Sequence, residues 1–370
     1  MGIKASYIGI NNIAYKLWEA PPDKRIFGAE WVGTSDPAWT RTDDSASFAD
    51  PSPAVNNGTG SSPFDDIYPW AGMQIVEDVD GGTLVEIPKF YYKWVRDGSK
   101  MKLQISNVQH DGFLCSPAHA DRGDGVGERD FIYVGRYHCA DSTYKSTTGV
   151  AQQVSETRAT FRRSIHNLGS NYWQWDYAIL WTIRMLYLVE FAHWDSQDKI
   201  GYGCSASYSK ANNGQTDSMM YHTGTTAVSR TKYGFTQYRH IEGLWDNVYD
   251  WCDGIYFSSA NVYCIKNPAN FSDTANGTLV GTRATSNGTS SVWTNPSVSG
   301  FEYAIYPSAV VEDSTSLTYV CDYSYYHSSA DVLFVGGCYT QYRRDGLFSM
   351  YGYDAASGTG TLGSRLMKLP

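Results

Sequence analysis

Between Tyr172 and Trp194 the chain reads Tyr-Trp-Gln-Trp-Asp-Tyr-Ala-Ile-Leu-Trp-Thr-Ile-Arg-Met-Leu-Tyr-Leu-Val-Glu-Phe-Ala-His-Trp, its one strong helical run. A helix that is apolar nearly all round has no face to give to water, so it predicts a buried element with the rest of the chain packed about it. Its length approaches that of a membrane span, but Asp176, Arg184 and Glu190 interrupt it, and charges are expensive in hydrocarbon. After Lys199 the chain alternates short aromatic stretches with Gly, Asn, Asp and Ser clusters, the pattern of short strands and turns. No internal repeat of fixed period is visible.

A chain of 370 residues is long enough for one large domain or two smaller ones, and can bury roughly three quarters of its unfolded surface. Residues 36 to 66 are rich in turn formers, among them Pro51-Ser-Pro and Asn56-Asn-Gly-Thr-Gly-Ser-Ser-Pro63. From Gly82, Thr83-Leu-Val-Glu-Ile-Pro-Lys-Phe-Tyr-Tyr-Lys-Trp94 reads as a β-branched and aromatic strand. The predicted organisation is a small N-terminal module with a loop-rich linker over residues 1–80, for attachment or oligomerisation, and a ligand-binding domain over 81–370. With 29 Tyr, 12 Trp and only 18 % charged residues, the composition suits an aromatic-lined recognition protein. A net charge of −9 argues against nucleic acid or an anionic membrane as partner. The seven cysteines are odd in number and form no Cys-x-x-Cys pair, so neither a disulfide framework nor a zinc site is expected. The first residues lack a basic stretch followed by an apolar run, so no signal peptide is predicted.

The last fifty residues contain no Asn, against sixteen in the preceding 320, and are crowded with Tyr, Ser, Asp, His, Cys, Arg and Gly. Those types arise when adenines in AAC codons are replaced. This tail resembles the variable region, about residues 321–362, of proteins diversified by a retroelement. Sixteen positions carry residues reachable in that way: Ser324, Tyr326, His327, Cys338, Tyr339, Thr340, Tyr342, Arg343, Arg344, Asp345, Ser349, Tyr351, Tyr353, Asp354, Gly358 and Gly360. These are the candidate ligand-binding residues. Tyr contributes large area at small rotamer cost, and Ser and Gly contribute adaptability, the mixture that antibody loops use. Ser349, Tyr351 and Tyr353 alternate with Phe348, Met350 and Gly352, so on a strand one set is expected to face the ligand while the other packs.

Ile241-Glu-Gly-Leu-Trp-Asp-Asn-Val-Tyr-Asp-Trp251 resembles the signature of the formylglycine-generating (sulfatase-modifying) enzymes, with Asp250 in the usual Glu place. Gly336-Gly and Leu362-Gly-Ser-Arg-Leu are similar to that family's later motifs, in the same order. The resemblance implies an α+β, C-type-lectin fold of the sulfatase-modifying variant over roughly 82–370. It departs at the family's copper-binding cysteines, which correspond to Gln341 and Gly346; Cys338 is out of register. Without a thiolate pair the soft-ligand copper chemistry is lost, so no enzyme activity is expected. What remains resembles the noncatalytic, retroelement-diversified branch of the fold. The expectation is a receptor-binding protein of a phage tail in the virion, alternatively of a bacterial cell surface, recognising a host protein or glycan beside other tail proteins, as a homotrimer and without membrane insertion; the alternatives are an oxidase of the sulfatase-modifying fold and a purely structural tail component whose aromatic tail packs against neighbours.

Other features read as structural. Trp245 and Trp251 are expected in the core, and Asn247 is expected to hydrogen-bond loop backbone. His193, His222 and His240 have no partner at ligand spacing. The loop Asp121-Arg-Gly-Asp-Gly-Val-Gly-Glu-Arg-Asp130 has oxygen donors for Ca²⁺ but not the EF-hand spacing, and reads as a solvated turn. No cofactor is called for; a structural Ca²⁺ stays open, with no site assigned.

Overall fold

The computed structural model describes residues 5–10, 13–19, 23–204, 209–274, 276–294, 296–311, 317–341 and 345–370. Strand accounts for 34 % and helix for 10 %, so the molecule is β-rich with few helices, and its largest sheet curls as a half-barrel.

That sheet uses strands β1 (Tyr249–Ser258), β2 (Asn261–Cys264), β3 (Thr278–Thr282), β4 (Gly288–Thr294), β5 (Tyr306–Val311), β6 (Tyr323–Tyr325), β7 (Ala330–Val335), β8 (Met350–Asp354) and β9 (Leu362–Ser364). Their order is β3-β2-β1-β7-β8-β6-β4-β5, with β9 parallel to β1. Two five-stranded sheets, a four-stranded sheet and the hairpin Ala5–Ile10/Ile13–Glu19 complete the fold.

Of the helices α1 (Arg158–His166) and α2 (Tyr177–Phe191), the central one, α2, is shorter than the sequence suggested. Tyr172–Gln174 instead forms a strand against Leu366–Lys368. The Asp176 carboxylate accepts from Ile179 N–H at 2.9 Å, so the helix starts where its cap sits. Ala192, in the left-handed conformation, ends it. All fifteen residues are buried, as an all-round apolar helix requires. Each of its two charges finds hydrogen-bond partners, with Arg184 Nη1 left buried without one. Glu190 takes a guanidinium nitrogen of Arg239 at 2.6 Å and the Tyr238 hydroxyl at 2.9 Å, and Arg184 donates to the backbone carbonyls of Leu347 and Ser349. No described helix is long and apolar enough to cross a membrane.

Segments on either side of residue 80 share the core. Phe27–Trp31 pairs with Lys100–Ser106, and Ala54–Val55 pairs with Gly224–Thr225. Trp31, Trp39, Phe64 and Trp70 sit in the same apolar cluster as α2, and the Trp70 indole donates to Leu186 O at 3.1 Å. The turn formers of 36–66 therefore fold loops inward around buried rings. No disulfide links the described cysteines.

Three separated sequence motifs meet behind the large sheet. Asn247, at φ 68°, exchanges hydrogen bonds with the backbone of Ala211 through both amide atoms, at 2.8 and 3.1 Å. Gly336 has φ 78°, and a Cβ there would lie 2.7 Å from Leu244 O, so the chain crosses the Leu244-Trp245 turn only with glycine. Arg365, fully buried, donates to the carbonyls of Gly135, Arg136 and Glu242 at 2.7–2.8 Å. Trp245 and Trp251 are buried, as expected.

Candidate functional site

Strand β8 lies between β7, antiparallel, and β6, parallel. Alternation then separates its side chains. Met350 joins the core around α2, while Tyr351 joins a second cluster on the opposite face of the sheet. In register, Tyr351 stands beside Tyr325 and Phe334, and Ser324 stands beside Met350.

The second face is paved with rings. Phe334 and Tyr351 stack at 4.9 Å with planes 3° apart, and Tyr249 lies 4.8 Å from Phe334 and 5.3 Å from Tyr351. Tyr323 and Tyr325 flank Tyr351 at 6.0 and 6.3 Å. Tyr353 continues the row, 6.4 Å from Tyr325 and 5.7 Å from the His327 ring. Exposure rises along this path: Trp251 is fully buried, Tyr351 is 7 % exposed, Tyr323 and Tyr325 are half-buried, and Tyr353 is 38 % exposed. The outer end offers flat aromatic surface with a polar tip on each ring, which suits both apolar and hydrogen-bonding ligand groups.

A polar rim fixes the adjoining loop. Arg283 donates to the Asp331 carboxylate at 2.6 Å and to His327 O at 3.1 Å, and its guanidinium lies over Phe257 at 4.0 Å and Tyr326 at 4.8 Å. Burial lowers the Arg283 pKa against the pull of Asp331. His327 Nδ1 bonds Asp331 Oδ1 at 2.8 Å, and Tyr326 N–H donates to Asn287 Oδ1 at 2.6 Å.

The segment leading into β8 is held by side chains outside the sixteen candidate positions. Asp322 accepts from the N–H groups of Gly346 at 2.9 Å and Phe348 at 2.6 Å. Ser196 Oγ accepts from Leu347 N–H at 2.9 Å, while Arg184 takes the carbonyls of Leu347 and Ser349. Burial pushes the Asp322 pKa well above the usual carboxylate range, with nearby Asp195 adding to it.

The candidate residues divide into three groups. Tyr353, Asp354, Gly358 and Gly360 are exposed, and Ser324, Tyr326, His327, Tyr339 and Thr340 are partly exposed. Of these, His327 and Tyr353 join the aromatic row. Tyr326 lies over Arg283, which with Ser324, Met350 and Gly352 lines a small recess on the helix side. Gly358 approaches Ser155 at the base of another loop.

Cys338, Asp345, Ser349 and Tyr351 are buried, which corrects the expectation that they face the ligand. Each has an interior role. Ser349 Oγ donates to Gly336 O at 2.6 Å; Asp345 accepts from the Tyr249 hydroxyl at 3.0 Å and from that of Tyr351; Cys338 Sγ lies 3.1 Å from Thr340 Oγ1. Burial raises the Cys338 pKa, so this sulfur is a thiol rather than a nucleophilic thiolate. Tyr342, Arg343 and Arg344 lie outside the described residues.

The Tyr-Ser-Tyr alternation could also have supplied Tyr323 with Tyr325, whereas nothing in the sequence points to Arg283 and Asn287, which hold the adjoining loop. Asp121 and Asp124 accept from Gly123 and Val126 N–H, and Asp124 pairs with Arg129 at 2.5 Å, so that loop's carboxylates make local turns. Among the described residues no cluster of three or more His, Cys, Asp or Glu is placed to hold a metal ion.

No protein-family profile matches this chain, and a search of curated proteins likewise found no match.

Proposed function

We propose that this chain is a noncatalytic ligand-binding protein whose C-terminal segment, diversified by a retroelement, presents a variable surface on a C-type-lectin scaffold of the sulfatase-modifying variant. The observation that carries the reading is the row Tyr325, Tyr353 and His327 opening to solvent from a buried aromatic base. The backbone leading into that row is fastened by Asp322, Ser196 and Arg184, none of which is a candidate variable position. Side chains can change on such a frame without unmaking the hydrogen bonds that shape it.

The scaffold assignment draws on the convergence of the Gly243–Trp251, Gly336-Gly337 and Leu362–Arg365 segments, which the sulfatase-modifying resemblance links. The absence of a thiol at Gln341 and Gly346 and the buried, protonated Cys338 favour binding over oxidation. On this reading the ligand is a host cell-surface protein or glycan, and the protein acts at a phage tail tip, as a trimer beside other tail proteins, or at a bacterial surface.

Flow cytometry of labelled protein on a panel of bacterial cells tests the reading. Wild type is expected to bind a subset of strains, and Tyr325→Ala/Tyr339→Ala/Tyr353→Ala to lose that binding while keeping its melting temperature within a few degrees. A triple variant that binds the same strains equally well places the site elsewhere.

A further inference from the structure

The aromatic face continues beyond the C-terminal segment, onto strands that precede it in the chain. Leu279 on β3 stands in register beside Tyr263 on β2, Tyr263 beside Tyr256 on β1, Tyr256 beside Val332 on β7, and Val332 beside Tyr353 on β8. Cross-strand partners share a face, and Tyr256, Val332 and Tyr263 belong to the same cluster as Tyr351. The row spans four strand spacings, roughly 19 Å. Its ends are open and its middle is sunk: Leu279 is 50 % exposed and Tyr263 half-buried, Tyr256 and Val332 are buried, and Tyr353 opens again. The two parts are knitted together at the rim. Arg283 donates from Nε to Ser259 O at 3.2 Å and from Nη2 to His327 O at 3.1 Å, and Ser259 Oγ lies 3.4 Å from the Tyr326 hydroxyl.

Hydroxyls, charge and relief together narrow what such a row can hold. Tyr249 and Tyr351, at the buried base, give their hydroxyls to Asp345. Those of Tyr256, Tyr263, Tyr325 and Tyr353 have no partner among the described residues, so each can still donate and accept. The row itself carries no charge, and the ion pair at its rim, Arg283 with Asp331, is closed at 2.6 Å. An ionic ligand therefore finds no counter-charge along it. The recess lined by Ser324 holds only about 10 Å³, too little for the anchoring side chain on which a protein interface depends. Strands β1, β7 and β8 are each paired on both sides, so no peptide can add to them as a further strand. Flat rings with open hydroxyls match sugar rings, which lay a C–H face on an aromatic plane and exchange hydrogen bonds with its polar tip.

We propose that the ligand face runs the whole row from Leu279 to Tyr353 and takes a neutral glycan several sugar rings long, with Tyr263 and Leu279 as its invariant contacts and Tyr325, Tyr353 and His327 as its variable ones. The proposal rests on the binding function proposed above and adds to it a ligand class and a half of the site that lies outside residues 321–362. The variable end selects among glycans, while the invariant end contributes to holding all of them.

The test is a printed array of neutral and acidic oligosaccharides probed with the labelled full chain. Wild type is expected to mark neutral oligosaccharides. Tyr263→Ala, and Leu279→Glu at a position exposed enough to cost the fold little, are each expected to lose at least fivefold of that signal on every glycan marked, with melting temperatures within a few degrees of wild type. On cells of a strain that wild type binds, periodate, which cleaves vicinal diols, is expected to abolish binding and proteinase K to leave it. An array with no neutral oligosaccharide marked, an unchanged signal in either variant, or cell binding that survives periodate and is lost after proteinase K overturns the proposal. The binding function itself fails differently, by undiminished cell binding of Tyr325→Ala/Tyr339→Ala/Tyr353→Ala.

Discussion

Tyr351 and Tyr353 share one strand and one face, yet the fold gives them opposite burdens. Tyr351 is enclosed by Phe334, Tyr249, Tyr323 and Tyr325, and its hydroxyl bonds the buried Asp345. Truncating such a ring removes its packing and leaves a cavity, costing about 3 to 5 kcal/mol. Tyr353 is 38 % exposed and touches the rings of Tyr325, Phe334 and His327 at their edges of reach, so Tyr353→Ala should cost about 1 kcal/mol. With an unfolding entropy of about 2.1 cal/mol/K per residue, 370 residues give roughly 0.8 kcal/mol/K. Tyr351→Ala should therefore lower the melting temperature by about 4 to 6 °C and Tyr353→Ala by about 1 °C. Tyr351→Phe isolates the hydroxyl: it removes one of the two tyrosine donors to Asp345 and should cost about 1 to 3 kcal/mol. Scanning calorimetry, or fluorescence of the twelve tryptophans against temperature, reads these shifts. If Tyr351→Ala melts no lower than Tyr353→Ala, Tyr351 is not a core residue and the buried half of the aromatic face is misassigned.

Three further outcomes follow from the same packing. Asp322→Ala strands two buried N–H groups, of Gly346 and Phe348, and should destabilise by about 2 to 5 kcal/mol, read by urea denaturation. Burial pushes the Asp250 carboxyl up to about 7 despite Arg365. A group raised from the ordinary Asp value contributes stability that is complete below that value and lost as pH rises through about 7, so Asp250→Asn should gain on wild type in melting temperature between pH 4 and 8; a constant gap contradicts this. Purified protein should retain no stoichiometric copper by elemental analysis; copper held by wild type and lost in Cys338→Ser would restore the enzyme reading.

The central helix was legible because a run apolar on every side has only one environment open to it, and its interruptions by Asp176, Arg184 and Glu190 became a cap and two buried anchors. Its start was not legible. Tyr172–Gln174 looks helical until Leu366–Lys368, almost two hundred residues later, supplies a strand partner. Asn247 and the two signature tryptophans were readable from the motif that contains them. The candidate face was readable only in part, since alternation assigns a side chain to a face without saying how deep that face lies. Tyr351 and Tyr353 were equivalent by pattern; β7 and the Tyr249 ring cover one and leave the other open. Ser349 is in phase with them ahead of the strand, yet it turns inward to Gly336 O. In the stretch 36–66 turn formers mark where the chain bends, and the bends carry Trp39 and Phe64 into the common core.

The nucleotide sequence of the gene and its flanks tests the binding account most directly, because the account makes the residue types at the sixteen positions a product of adenine replacement. The prediction is a nearby near-copy of codons 321 to 370 bearing AAC where the gene differs, beside a reverse transcriptase gene, with third bases unchanged at the altered codons and the differences densest at exposed and partly exposed positions such as Tyr326, His327, Tyr339 and Tyr353. Codons at those positions ending mainly in A or G, with no such copy in the flanking DNA, would contradict it.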